Sequence, residues 1–207
     1  MLSIIIIALI LLYSIILHEL AHGQAAELMG DPTARLAGRL TLNPLPHLDP
    51  LGTLLPLLLM VTGAPLVFGW AKPVPINPYN FRDREKGMLL VSSAGIVTNL
   101  FIAWLLGLVL RFLPVSNEYL AQALLYGIRI NVVLAVFNLI PIPPLDGSKV
   151  LEAILPRGLQ MQYGQWRRQM EHQPFLGFGI VILFIVFLGG IFSSFIYAIA
   201  SLILGGM

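Results

Sequence analysis

Residues 2–30 read LSIIIIALILLYSIILHELAHGQAAELMG, and the class of the fold turns on this stretch. Residues 2–17 carry no charge and resemble the apolar core of a signal peptide. No Lys or Arg precedes them, however, and no small-residue cleavage site follows. Cleavage there would also destroy the HELAH that comes next, so a retained transmembrane helix is expected over residues 2–29. Gly30-Asp31-Pro32 supplies its stop signal. Within this helix, His18 and His22 stand at i and i+4, which places both imidazoles on one face, one turn apart. Two neutral imidazoles so placed can share one Zn²⁺, and Glu19, one residue on, can reach a water there as general base. A short motif of this kind arises by chance in soluble proteins. In a membrane helix, three ionisable groups within five residues are costly against lipid and imply a purpose.

The rest of the chain supports a membrane setting. Charged residues are 11% and hydrophobic residues 57% of the 207, against about 25% charged in soluble domains. The net charge of +2 and the placement of basic residues between apolar runs give no hint of nucleic acid. With no cysteine, a transition metal must be held by His, Asp or Glu. Outward from the first helix come a connection over 33–50, an apolar run over 51–69 broken by Gly52, Pro56, Gly63 and Pro65, and a Pro-rich connection over 70–86 that closes on RDREK. Long helices are expected at 88–113 and 120–140, followed by NLIPIPPLDG, a polar amphipathic stretch to about 173, and a last helix near 175–204. The fold class expected is an all-α polytopic membrane protein: four transmembrane helices, one re-entrant segment at 51–69, and short β-strands near 36–42 and 71–76. Residues 1–207 read as one domain, with a core over 1–155 and the amphipathic stretch plus last helix over 156–207.

A catalytic zinc usually takes a third protein ligand. Glu27 lies five residues beyond His22 and points off the His face. Asp83, Glu85, Glu118, Glu152 and Glu171 sit among polar or basic neighbours and read as solvated. Asp31 and Asp49 each precede a proline and read as turn residues. Asp146 differs, because it follows the helix-breaking Pro141-Ile142-Pro143-Pro144. Irregular backbone at membrane depth is tolerated only where it is buried in protein or lines a wet cavity. Asp146 is therefore the third ligand expected for one zinc per chain.

HELAH on an early membrane helix, followed by Asn138-Leu139-Ile140-Pro141-Ile142-Pro143-Pro144-Leu145-Asp146-Gly147 in the pattern N-x-x-P-x-P-x-L-D-G, resembles the site-2 protease family of intramembrane zinc proteases. The resemblance spans about residues 1–155 and is that of a core-only member without PDZ or CBS domains. It implies zinc on His18, His22 and Asp146, water activation by Glu19, and an Asn138 that hydrogen-bonds substrate or the tetrahedral intermediate. A third family element stands here as Gly95-Ile96-Val97-Thr98-Asn99, without its proline but with Asn99 kept. Interhelical hydrogen bonding is an equally open role for Asn99.

Convergence of His18 and Asp146 on one ion constrains topology. Both lie toward the far ends of their helices, so the helices at 2–29 and 120–140 must run parallel. Residues 30–87 must then cross the membrane an even number of times, which is why 51–69 is expected to dip in and return. Ten of the twelve basic residues (Arg35, Arg39, Lys72, Arg82, Arg84, Lys86, Lys149, Arg157, Arg167 and Arg168) fall on the side of the site, leaving Arg111 and Arg129. By the positive-inside rule that side is cytosolic. The expected protein is a multi-pass endopeptidase, of a prokaryotic cell membrane by its minimal core, that cleaves transmembrane protein substrates. An edge strand at 36–42 or 71–76 would hold the unwound substrate. The alternative is a non-proteolytic metal-binding transporter or sensor, in which Glu19 has no task. His47 and Asp49 read as cap or turn residues near the mouth, and Arg129 as snorkelling, cavity-facing or paired with Glu118.

Overall fold

The computed structural model describes residues 2–50, 52, 54 and 71–205. The helices are α1 (Leu2–Leu28), the single turn α2 (Thr33–Leu36), α3 (Arg84–Phe112), α4 (Glu118–Asn138), α5 (Asp146–Ile154), α6 (Arg157–Glu171) and α7 (Pro174–Leu204). Each long helix begins or ends where local chemistry dictates. α1 stops in a Schellman motif: Gly30, at φ 107°, donates to the Glu27 carbonyl, and Asp31 N–H reaches back to Ala26. The carboxylate of Asp83 caps α3 by accepting from Lys86 N–H at 3.1 Å, so Arg84-Glu85-Lys86, expected in a connection, form the first helical turn instead. Asn117 caps α4 in the same way, accepting from Leu120 N–H at 3.0 Å.

Among the described residues, four helical stretches are long and apolar enough to cross a bilayer: Ile4–Leu28, Arg84–Phe112, Glu118–Asn138 and Gly179–Leu204. α1, α3 and α4 form the centre of the bundle, and α7 packs on α3 and α4. Ala103, Ile128, Val132 and Val136 are the buried core there, with Phe192, Ile196 and Ile199 of α7 packed against them. The outer face of α7 stays exposed and apolar, with Phe187 at 79% and Ile191 at 72%, as lipid contact requires.

The register of the central helices follows from their contacts. His18 meets Asn99 and His22 meets Val91, so α1 and α3 run antiparallel. Asn131 meets both Asn99 and Ser14, while Gly127 lies against Leu106 and Ile10. α4 therefore runs parallel to α1, as expected. Arg82 N–H bonds the Met29 carbonyl at 2.9 Å, so the chain leaves α1 and re-enters α3 at one end of the bundle. The expected even number of crossings over 30–87, with its re-entrant run at 51–69, falls on residues outside those described, apart from 52 and 54.

The β-strands expected at 36–42 and 71–76 do not form: no strand occurs among the described residues. The backbone groups that would build a ladder have other partners. Residues 37–38 are a turn, with Gly38 at φ 65° and Arg39 N–H bonded to Ala34 O. Over 71–77, Pro73 and Pro75 have no N–H to donate. Lys72 N–H bonds the His47 carbonyl, Val74 N–H the Glu19 carboxylate, and Asn77 N–H the Asp31 carboxylate. Asp31 is the hub of this surface, fully buried and accepting also from Thr33 and from Asn80 Nδ2 at 2.8 Å. Burial opposes its ionisation, but these hydrogen bonds from Thr33, Asn77 and Asn80 prevail and hold its carboxyl below the ordinary carboxylate range.

Candidate metal centre

His18 Nε2, His22 Nε2 and Asp146 Oδ2 lie 3.0 Å from one another in every pairing. All three residues are buried, at 6, 6 and 8% exposure. α1 supplies the two imidazoles from successive turns, and Asp146 opens α5 just after the irregular run that follows α4.

The far side of each imidazole fixes what the near side offers. His18 Nδ1–H donates to Asn99 Oδ1 at 2.6 Å, and His22 Nδ1–H to the Val91 carbonyl at 2.7 Å. With Nδ1 protonated, the neutral ring carries a bare lone pair at Nε2. Three lone pairs, one on a carboxylate, thus converge on one point and repel one another unless a cation lies between them. A proton shared with Asp146 would satisfy two of the atoms; a metal ion satisfies all three. Ligands on a tetrahedral zinc with bonds near 2.0–2.1 Å sit about 3.3 Å apart, close to the observed triangle. The donor set of two imidazoles and one carboxylate suits zinc and leaves a fourth position open.

Two glycines make the approach possible. A Cβ on Gly95 would fall 2.5 Å from His18 Nε2 and 2.6 Å from Nδ1, so α3 can pass the imidazole only without a side chain there. A Cβ on Gly147 would strike the backbone carbonyls of Leu139 and Ile140, the latter at 2.6 Å. The Asp-Gly pair is thus a carboxylate followed by the contact that seats its helix. Gly95→Ala is expected to rotate His18 out of the triangle and to weaken zinc binding at least about tenfold, a loss typical of a misoriented ligand. Chelator competition on the purified variant measures this; an affinity within twofold of wild type would count against the packing argument.

Glu19 is half-buried beside the triangle, and its Oε2 accepts from Val74 N–H at 2.8 Å. Together these groups line a cavity of about 580 Å³ with Asn138 and Lys149. Lys149 Nζ stands 3.5 Å from Asp146 Oδ1. Asn138 is in the cavity wall but donates to its own helix, at Leu134 O, 3.0 Å away. Asn99 lies behind the cavity on His18, a contact with a candidate ligand rather than with a substrate.

Other candidates fall elsewhere. Glu27 pairs with Arg35 at 2.5 Å. His47, buried, donates from Nε2 to Thr41 O at 2.9 Å, and Asp49 Oδ1 accepts from Gly52 N–H at 2.7 Å, the turn roles expected. Arg129 is exposed, and Glu118 accepts from Gln122 rather than from Arg129. The reading of Glu152 as solvated is corrected: α6 folds back on α5, and Arg167, 8% exposed, pairs with Glu152, while Glu171, exposed as expected, also pairs with Arg167 at 2.6 Å. A buried guanidinium needs such partners.

The sequence reading missed Ser14, Asn131 and the backbone groups of Val74 and Val91. A signal existed for two of them. Ser14 precedes His18 by four residues and Asn131 precedes Asn138 by seven, so each shares a helix face with a singled-out residue.

Comparison with known proteins agrees with this geometry. Residues 115–170 match Peptidase family M50. The chain is 40% identical over 187 residues to "Putative zinc metalloprotease YwhC" of Bacillus subtilis, covering 86% of this chain and 80% of that one. It is 36% identical over 143 residues to "Putative zinc metalloprotease Rip2" of Mycolicibacterium smegmatis, covering 68% of this chain and 54% of that one. With Rip2 of Mycobacterium tuberculosis it shares 29% identity over 191 residues, 91% of this chain and 68% of the relative. No solved structure matches the chain.

Proposed function

Because the chain belongs to Peptidase family M50, the site-2 protease family, we propose that it is an intramembrane zinc endopeptidase that cleaves membrane-spanning segments of other proteins. The observation that carries this reading is the set of three converging lone pairs on His18, His22 and Asp146, with the Glu19 carboxylate in the same cavity. Zinc, when bound by those three residues, would supply Lewis acidity to polarise the scissile carbonyl and make a water nucleophilic.

The chain's own groups do the rest. Val74 N–H holds Glu19 Oε2, so the rotamer is fixed and the proton-accepting role falls to Oε1. Glu19 takes the proton of the attacking water and returns it to the leaving amine. Asn138, in the cavity wall, is placed to hydrogen-bond the substrate backbone or the developing oxyanion once its amide turns from Leu134. Residues 71–77, threaded along the cavity and tied down at both ends, form its roof in place of the expected strand. A helical substrate must unwind to present a carbonyl, because its own backbone hydrogen bonds occupy it. The alternative, a metal transporter or sensor, leaves Glu19 and its backbone clamp without a task.

The setting follows from charge. Ten basic residues lie at the end of the bundle that holds the site, whereas Arg111 lies at the other end, beside Gly205. We therefore assign the site end to the cytosolic face of the membrane, with the start of α1 and the end of α7 on the opposite side. The test is cleavage by the purified, zinc-loaded protein in detergent or liposomes, with product masses locating the cut. A cut inside the apolar segment of a single-span substrate, and none in an unfolded soluble protein, is the expected result. Cleavage only of the soluble protein would overturn the intramembrane assignment.

A further inference from the structure

Behind His18, on the side away from the cavity, a line of polar side chains crosses the three central helices. Ser14, Asn99 and Asn131 are buried, at 4, 0 and 1% exposure. The line starts at a group that cannot change its role: the Gly127 carbonyl, which only accepts. Asn131 Nδ2 donates to it at 2.9 Å and to Ser14 Oγ at 2.9 Å. That commits the nitrogen of Asn131, so its Oδ1 faces Asn99 and accepts from Asn99 Nδ2 at 2.8 Å. Asn99 Nδ2 also approaches the Ser14 carbonyl at 3.4 Å, a second fixed acceptor that demands the same orientation. Asn99 Oδ1 is thereby turned to His18 and accepts from Nδ1–H at 2.6 Å.

We infer that Asn131, with Ser14, is a positioning residue that sets which ring nitrogen His18 offers to the metal. This rests on the reading of His18 as a ligand and extends it to residues with no other task. A lone amide can flip, since its oxygen and nitrogen ends have the same shape. With Asn99 flipped, its NH₂ would face His18 Nδ1, the ring proton would move to Nε2, and an N–H would point into the metal position. A flip of either amide here leaves two donors or two acceptors facing each other in a buried site, at the full cost of unsatisfied groups. Backbone carbonyls at Gly127 and Ser14 cannot flip, so the line has one satisfied state. Direction set by the backbone passes through two amides to the imidazole tautomer. His22 needs no such line, because the Val91 carbonyl receives its Nδ1–H directly.

The test reads tautomer and affinity separately. Protein labelled with ¹⁵N-histidine and zinc-free is compared for wild type, Asn131→Leu and Val132→Ala, with His18 signals assigned from a His18→Gln spectrum. Zinc affinity of wild type and the latter two comes from chelator competition. Wild type is expected to hold His18 as the single Nδ1–H tautomer. Asn131→Leu should give a mixture and bind zinc 10–100-fold more weakly. Val132→Ala, equally buried on the same helix but outside the line, should lose stability and keep both readouts, which a merely structural role for Asn131 would not predict. An Nε2–H tautomer in wild type, a measurement that needs no variant, would overturn the inference. So would Asn131→Leu with wild-type tautomer and affinity. Failure of wild type to take up zinc would instead overturn the proposed function, with the tautomer still readable.

Discussion

Glu19→Gln is expected to lower peptide hydrolysis by a factor of about 10²–10⁴, the range of a lost general base, with zinc content unchanged at about one per chain. The structure explains why the two readouts separate. Glu19 Oε2 is an acceptor for Val74 N–H, and the amide oxygen of Gln can accept the same bond. The roof over residues 71–77 therefore keeps its anchor, and the ligand triangle, one residue away, is undisturbed. What disappears is a group able to take a proton from water at neutral pH. Zinc per chain and turnover on a single-span substrate, measured on the same preparation, check both. Residual activity above about a tenth of wild type would remove Glu19 from the role of base. Loss of zinc would make it a ligand.

Asp146→Ala carries the second large effect. A four-ligand zinc site is worth about 10–16 kcal/mol, or roughly 2.5–4 kcal/mol per ligand, so zinc affinity should fall by about 10²–10³-fold. The more telling expectation concerns the metal-free protein. Asp146 Oδ2 lies 3.0 Å from two Nε2 atoms whose rings already carry their proton at Nδ1. Without a cation that arrangement is repulsive, so removing the carboxylate should not destabilise the chelator-treated protein. Thermal unfolding with and without added zinc distinguishes this from a structural ion pair. Wild type should gain stability with zinc by mass action, and the variant should gain almost none while matching wild type in chelator. A variant markedly less stable than wild type in chelator would mean that Asp146 holds the fold through protonated imidazoles.

How much of this was legible beforehand depended on the range of the interaction concerned. The apolar runs that form α1, α3, α4 and α7 are local patterns, and a bilayer leaves a long apolar segment little choice but helix. The spacing of His18 and His22 is a property of helical periodicity. The run from Asn138 to Gly147 declared its irregular backbone through its prolines. Even the parallel packing of α1 and α4 followed, because one ion had to be reached from two helix ends. Residues 36–42 and 71–76 misled for a related reason. Alternating polarity in a short run describes an extended chain but not its partners, and here the backbone donors went to Asp31, Glu19 and His47 instead of a ladder.

What the sequence by itself determined is therefore the set of long apolar helices, the placing of His18 and His22 on one face of α1, and the identity of the third candidate ligand. Tertiary structure alone decided that Asn99 backs His18, that Asn131 and Ser14 back Asn99, that Val74 N–H clamps Glu19, and that Arg167 is buried between two carboxylates. The physical reason is that helix formation and face patterning rest on residues three or four apart. The hydrogen-bond polarity of the site rests on groups 32 to 128 residues apart, which only the packed bundle brings within 3 Å.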